Sequence, residues 1–168
     1  LGVIKFSAAK ANLSLKLISG DVGNSIMKAA NEVISGKHDS EFVVDIFQTG
    51  SGTSSNMNAN EVISTLANKF IKGKTKVHPN DHVNLCQSSN DVIPTAMYIS
   101  VYSLILNSLI PNLKILEKEL SLKARKFDKI FKIGRTHLQD ATPITLGQEF
   151  EGYSSMVSKS IEFIKQAS

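Results

Sequence analysis

The segment from Asp91 to about Phe127 constrains the chain more than any other, because it stays helical in period over its whole length. Tyr98, Val101, Tyr102, Leu104, Ile105 and Leu106 leave little polar face, so this half is expected to be buried on most sides. Beyond Pro111 the pattern turns amphipathic, with Leu109, Leu113, Leu116, Leu120 and Phe127 at spacings of 4, 3, 4 and 7. The period carries through Pro111, so the proline should bend the helix rather than end it. A helix of roughly 35 residues is about 50 Å long, more than a small domain needs. It predicts a long helical bundle completed by other chains.

The flanking segments are helical as well. Leu1 to Ile18 places Ile4, Ala8, Ala11 and Leu15 on one face. Gly20 fits a helix stop, and Asp21 or Asn24 can cap a second helix running to Ile34 and ending at Gly36. Asn12-Leu13-Ser14 matches a glycosylation sequon, read here as chance inside a helical pattern. Phe42 to Phe47 and Ile130 to Ile133 read as extended, and a last helix starts near Ile144 with Leu146, Phe150, Tyr153, Val157, Ile161 and Ile164 on one side. The expected fold class is all-α. Residues 1–90 form an N-terminal helical domain and residues 91–168 the start of a long-helix bundle, with polar loops and the option of a small β-hairpin.

Charge and composition exclude several classes. The 168 residues carry a net charge of +4, but the basic side chains are scattered. The densest run, Lys123, Arg125 and Lys126, reads as a solvated helix end. With no basic stripe or aromatic interleaving, nucleic acid is not an expected partner. Cys86 is the only cysteine, so no intrachain disulfide can form and a reducing compartment is expected, either cytoplasm or mitochondrial matrix. No stretch approaches about 18 uninterrupted apolar residues, so no membrane span is expected. The chain opens at Leu1 in mid-pattern and closes at Ser168 inside a helical pattern, which reads as two cut ends.

Chemistry concentrates in three polar stretches. The first runs from Gln48 to Glu61 and alternates backbone-opening glycines with Ser and Thr hydroxyls. That pattern suits close approach of a polar ligand, and equally an ordinary linker before a capped helix. A basic turn at residues 73–76 leads to the second, His78 to Asp91. There Ser88, Ser89, Asn90 and Asp91 are all preferred N-caps, and Pro94 fits a first helical turn. A helix start offers unpaired N–H groups and a positive dipole end, a seat for a carboxylate or phosphate. The third stretch, Gly134 to Pro143, holds His137 between Arg135 and Asp140.

Other chemistries fit less well. His78 and His82 have zinc-pair spacing, but Pro79 and Asn80-Asp81 argue against a helix there, and no cysteine pair or HExxH accompanies them. No metal is expected. Gly50-Ser51-Gly52 lacks the lysine and preceding strand of a phosphate loop, and no G-x-S-x-G elbow occurs. What remains is a site of neutral donors plus one histidine.

Gln48-Thr49-Gly50-Ser51-Gly52-Thr53 with Asn56-Met57-Asn58, then His78-Pro79-Asn80-Asp81 with Gln87-Ser88-Ser89-Asn90-Asp91, then Gly134-Arg135-Thr136-His137-Leu138-Gln139-Asp140-Ala141 follow one another in a characteristic order. Together they resemble the class II fumarate hydratases of the fumarase/aspartase superfamily, over essentially the whole chain. Aspartases typically carry Gly-Gly-Ala-Gly-Thr and Ser-Thr-Asn-Asp where this sequence has Thr49-Gly50-Ser51-Gly52-Thr53 and Ser88-Ser89-Asn90-Asp91, the fumarase form. The resemblance implies reversible hydration of fumarate to L-malate, with no metal or organic cofactor. It also implies a homotetramer whose sites are each assembled from three subunits. By motif, Ser51, Thr53, Ser88, Ser89 and Asn90 would bind substrate, and Thr136 and His137 would lie beside the reacting carbon, His137 positioning or activating the water. His78, Asn80 and Asp81 match a second dicarboxylate site. An arginine frequent in the family three residues before that histidine is Thr75 here, between Lys74 and Lys76.

The family's mobile Gly-Ser-Ser-x-Met-Pro-x-Lys-x-Asn loop, which supplies its proposed serine base, does not occur before Ser168. The sequence therefore reads as an N-terminal to central part of such an enzyme, inactive alone. Two alternatives stay open: an ammonia lyase acting on aspartate, and a non-catalytic all-α assembly module.

The chemistry suits the residues. Removing a proton next to a carboxylate builds charge on that carboxylate, so the site needs preorganised donors whose bonds strengthen as charge develops. An imidazole, with an ordinary pKa of about 6.5, can shuttle a proton at physiological pH.

Overall fold

The computed structural model describes residues 1–72 and 75–168. Gly73 and Lys74, half of the expected basic turn, lie outside the described residues. The chain divides into two compact units, Leu1–Tyr98 and Ile99–Ser168.

The first unit holds α1 (Gly2–Ser14), α2 (Gly20–Ile34), α3 (Thr53–Phe70), single helical turns at Asp39–Glu41 and Pro79–Val83, and the beginning of α4 (Ser89–Leu104). Gly20 opens α2 instead of stopping α1, because Ser19 caps it by accepting from the Val22 N–H; neither Asp21 nor Asn24 is the cap. Lys16, at φ +61°, makes the reversal after α1, and Gly36, at φ +76°, follows α2 as expected. α3 starts at Thr53, so the polar loop is shorter than the 48–61 expected, and Asn56, Asn58 and Asn60 lie on the helix. Phe42–Phe47 is non-helical and joins no strand, with Ile46 and Phe47 exposed.

The core lies where α2 packs on α1 and α3. Ile26, Ala29, Ala30, Ile63 and Ala67 are fully buried, with Val22, Leu66, Val77 and Val83 around them. Alanines at the crossing let the backbones approach, while burial of Ile26 and Ile63 stabilises the unit by roughly 1.5–3 kcal/mol each.

α1 departs from expectation. Its buried stripe is Gly2, Lys5, Ala9 and Asn12, whereas Ala11 and Leu15 of the expected face are exposed. Lys5 is 0% exposed. Its Nζ donates to Asn84 Oδ1 at 2.9 Å and Gln87 Oε1 at 3.0 Å, and it forms no ion pair among the described residues. Asn12 Nδ2 donates to the Leu85 carbonyl at 3.1 Å, which disposes of the sequon. A period count of apolar residues cannot find a stripe whose occupants are a lysine and an asparagine.

The second unit contains α5 (Ile110–Lys126), the strands β1 (Phe131–Thr136) and β2 (Gln139–Thr145), and α6 (Leu146–Ala167). α4, a π-helical turn at Ile105–Leu109 and α5 run on as a single helix, Ser89–Lys126, of 38 residues. Pro111 sits in the first turn of α5, and the helix continues through it as expected. The wide turn just upstream relieves the clash a proline ring makes with the carbonyl four residues back.

Burial along this helix differs from expectation: Tyr98, Val101, Tyr102, Leu104 and Leu106 are exposed. By length and composition alone the helix could cross a bilayer. A search for uninterrupted apolar runs misses it because Ser103, Asn107, Ser108 and Asn112 intervene.

Residues 134–143, expected as a polar loop, instead form an antiparallel hairpin with Arg135 opposite Asp140 and Thr136 opposite Gln139. β2 feeds directly into α6 through a capping box: Thr145 Oγ1 accepts from the Gln148 N–H, and Gln148 Oε1 from the Thr145 N–H. α6 packs on α5 through Gly147, Ser154 and Ile161, with Phe150 edge-on to Phe127 at 5.3 Å and Tyr153 left exposed.

Burial pushes the Lys5 ammonium down from its ordinary 10.5 to about 8. Between those values the folded chain binds fewer protons at this group than the unfolded chain, so its contribution to stability rises as pH climbs through that window. Between pH 8 and pH 10 the unsubstituted protein should therefore gain melting temperature relative to Lys5→Met. Parallel pH profiles for the two proteins would show that the ammonium is not held down.

Candidate active-site surfaces

In the first unit, the starts of α3 and α4 are joined through their leading side chains. Thr49 Oγ1 meets Ser51 Oγ at 3.1 Å, Ser51 Oγ meets Thr53 Oγ1 at 3.0 Å, and Thr53 Oγ1 reaches Ser89 Oγ at 3.4 Å. Thr53 and Ser89 are the first residues of their helices, so this hydroxyl chain links two positive dipole ends. Two helix N-termini and a chain of neutral hydroxyls favour an anion, while Asp91 in the first turn of α4 sets one negative charge nearby.

Gly52 makes the approach possible. It stands at φ +65° before α3, and a Cβ there would come within 2.9 Å of Ile93 Cγ1 and Cγ2. Gln48 pins the loop from behind: its Nε2 donates to the Asp45 carbonyl and Ser55 Oγ, and its Oε1 accepts from the Ser55 N–H. At α4, the Ser88 carbonyl accepts from the Val92 N–H at 2.9 Å and its Oγ from the Asn90 N–H at 3.2 Å. Ser88 is thus the working N-cap. Because its hydroxyl accepts there, its own proton remains available to donate outward. Ser51, Thr53, Ser88 and Asn90 are exposed and Ser89 half-buried, an open surface.

His78, Asn80 and Asp81 cluster a few residues upstream. Pro79–Val83 forms a helical turn despite the proline and Asn80-Asp81, because Pro79 takes the first helical position and His78 caps it. His78 Nδ1 accepts from the Asn80 N–H at 3.3 Å and the Asp81 N–H at 3.2 Å, which places the imidazole proton on Nε2. Asp81 Oδ2 lies 3.2 Å from the same nitrogen and becomes an ion-pair partner only on protonation. The His78 N–H donates to His82 Nδ1 at 2.8 Å, so His82 serves the turn. Among the described residues no cluster could hold a metal ion.

In the second unit, Thr136 ends β1 and His137 begins the hairpin turn, both exposed. The turn is His137-Leu138, with φ of +50° and +61°. Two-residue hairpin turns with positive φ at both positions are of the I′ kind, which strongly favours Asn-Gly. Non-glycine residues there store strain, here at His137 and Leu138. Gly134 sits at the strand irregularity, where a Cβ would come within 2.8 Å of the Thr142 carbonyl oxygen. The hairpin base is tied to α6 by the Lys132–Glu149 ion pair. Lys132, and then the Tyr153 hydroxyl, hold the Glu149 carboxyl below its usual range. A groove of about 570 Å³ along α5 and α6 is lined by Lys118, Arg125, Ser154 and others, but by none of the site residues expected from sequence.

Sequence reasoning missed Lys5, Asn84 and Ile93, and it held Gln48 and Gln87 only as members of the motifs, with no role. For Lys5 the signal available was Lys5, Ala9 and Asn12 at spacings of 4 and 3, a stripe along α1.

Comparison with known proteins places the chain in a family. A family model described as Lyase matches residues 1–168. The chain is 53% identical over 169 residues to fumarate hydratase class II of Rhizobium meliloti (strain 1021) and 55% over 168 residues to that of Halobacterium salinarum. Each alignment covers 98% of this chain and 36% of the relative, so the chain spans about a third of the length of these relatives. The crystal structure of recombinant class II fumarase from Schistosoma mansoni superposes with a TM-score of 0.90 at 45% identity, over 96% of this chain and 34% of that one. A 3-carboxy-cis,cis-muconate lactonizing enzyme from Pseudomonas putida, 21% identical with a TM-score of 0.65, shares the fold. The chain belongs to this lyase family, and within it the motifs take the fumarase form.

Two substitutions test the local geometry. Gly52→Ala should destabilise by roughly 1–3 kcal/mol, from the left-handed φ and the Ile93 contact together, read as a lower urea midpoint. Leu138→Gly should stabilise by about 0.5–1 kcal/mol by removing strain from the hairpin turn. An unchanged or lower midpoint for Leu138→Gly would show that the turn is not strained.

Proposed function

We propose that the full-length protein carrying this chain catalyses the reversible hydration of fumarate to L-malate, without a metal or organic cofactor. The observation that carries this reading is the junction of α3 and α4, where two helix starts and a chain of hydroxyls present neutral donors to an anion. Ser51, Thr53, Ser88, Ser89 and Asn90 grip the carboxylates of the substrate. As the proton beside one carboxylate leaves, charge builds on its oxygens, and donors already aimed there strengthen without reorganising. Thr136 and His137 stand beside the reacting carbon, with His137 positioning or activating the water. His78, Asn80 and Asp81 form a second dicarboxylate site, with Thr75 in place of the family's arginine.

The enzyme works as a homotetramer. The exposed apolar side chains along Ser89–Lys126, among them Met97, Tyr98, Val101 and Leu104, support this, because such a stripe needs partner helices. Packing into a bundle of soluble subunits is our reading of this helix, rather than insertion into a bilayer; its Ser and Asn positions suit either.

Assays of the full-length protein with malate and with aspartate test the proposal. Fumarate formation from malate alone is expected, and turnover of aspartate without malate would contradict it. His137→Asn should lower kcat for malate by about 100-fold or more, the usual scale for a lost acid–base group, with KM changing little.

A further inference from the structure

The starts of α3 and α4 adjoin a polar cluster in which Lys5 and Asn56 are buried and Asn84 and Gln87 half-buried, with the Lys5 cation at its centre. Asn84 Oδ1 accepts from Lys5 Nζ of α1 at 2.9 Å and from Asn56 Nδ2 of α3 at 3.2 Å. Asn84 Nδ2 donates to the Gln87 carbonyl at 3.2 Å. Gln87 Oε1 takes the second Lys5 bond, and its Nε2 donates to the carbonyls of Val83 and Leu85. Cys86, inside this turn, stands at φ +58°, and Asn12 holds the Leu85 carbonyl. The segment so wrapped leads directly into Ser88, Ser89 and Asn90, and Asn56 lies one turn along the helix that Thr53 begins.

An ammonium with no carboxylate partner is costly to bury, and an apolar residue of the same length would avoid that cost. Lys5 is nevertheless fully buried, and at a pKa of about 8 it carries its charge at neutral pH. Two amide oxygens satisfy two of its three donors without cancelling the charge. Each acceptor belongs to a side chain that also holds the turn before Ser88.

We propose that Lys5 is a positioning residue for the reaction: through Asn84 and Gln87 its buried ammonium sets the α4 start against the α3 start, and it adds positive charge behind the carboxylate-gripping donors. This rests on the fumarate-hydration reading given above. Lys5 itself does not touch substrate.

The full-length protein is assayed with malate, and with succinate as a dicarboxylate inhibitor, as the unsubstituted enzyme, Lys5→Met and Lys5→Gln. Lys5→Met removes charge and donors. Lys5→Gln keeps a neutral donor and carries the test should Lys5→Met not fold. In variants that elute like the unsubstituted protein, Lys5→Met should raise the KM for malate and the inhibition constant of succinate together by about tenfold or more, the scale of one lost charge-assisted bond. Lys5→Gln should raise both by less, and kcat should move less than KM. Loss of folded enzyme alone lowers apparent kcat and leaves KM and the inhibition constant unchanged, so that pattern overturns the inference. If the unsubstituted protein turns over no malate, the functional reading fails and takes the inference with it.

Discussion

Two helices can begin side by side only if something small stands between them, and here that is the missing Cβ of Gly52 against Ile93. The contact lets Thr53 reach Ser89, so that two dipole ends and a run of hydroxyls face one surface. Everything else in the first unit supports that meeting. Gln48 holds the loop before α3, and Ser88 caps α4 while keeping its own proton for a ligand. Lys5, Asn56, Asn84 and Gln87 fasten the turn below. The hydrophobic core of α1, α2 and α3 provides the rigid frame from which these polar groups are placed.

Much of this was legible in the sequence, for reasons that differ by element. α2 and the helix through Pro111 carry apolar patterns that mark their extents closely, whereas α3 begins inside the expected polar loop, at Thr53. The cap at Ser88 is legible because N-cap chemistry is local. The buried face of α1 is not legible, because it carries Lys5 and Asn12, whose partners lie more than 70 residues away. The option of a small β-hairpin is met by β1 and β2, but its placement at 131–145 is not legible, because His137-Leu138 lacks the residues that a two-residue turn normally uses. The turn at Pro79–Val83 was missed for a related reason: the cap is a histidine ring nitrogen, outside the usual list of N-caps. The apolar character of α4 is legible in the sequence, but its burial is not, since these side chains are exposed in this chain.

The electrostatic design follows one pattern. At the starts of α3 and α4 the hydroxyl and amide groups Ser51, Thr53, Ser88, Ser89 and Asn90 are neutral and exposed or half-buried, while the one fully buried cation among the described residues, Lys5, bonds to Asn84 and Gln87 in the turn before Ser88. Neutral donors avoid tight binding of the ground state yet respond as charge grows on the substrate. In the hairpin the logic is steric: His137 is held in a left-handed backbone by strands anchored to α6 through Thr145, Gln148 and the Lys132–Glu149 pair.

The central claim is that the joined starts of α3 and α4 form the carboxylate seat. A crystal structure of the full-length protein with succinate, a dicarboxylate that cannot be dehydrated, tests it directly. The account predicts a succinate carboxylate within hydrogen-bonding distance of Thr53 Oγ1 and of the Ser88–Asn90 hydroxyl, amide or backbone N–H donors. Succinate bound with both carboxylates away from those groups would contradict it.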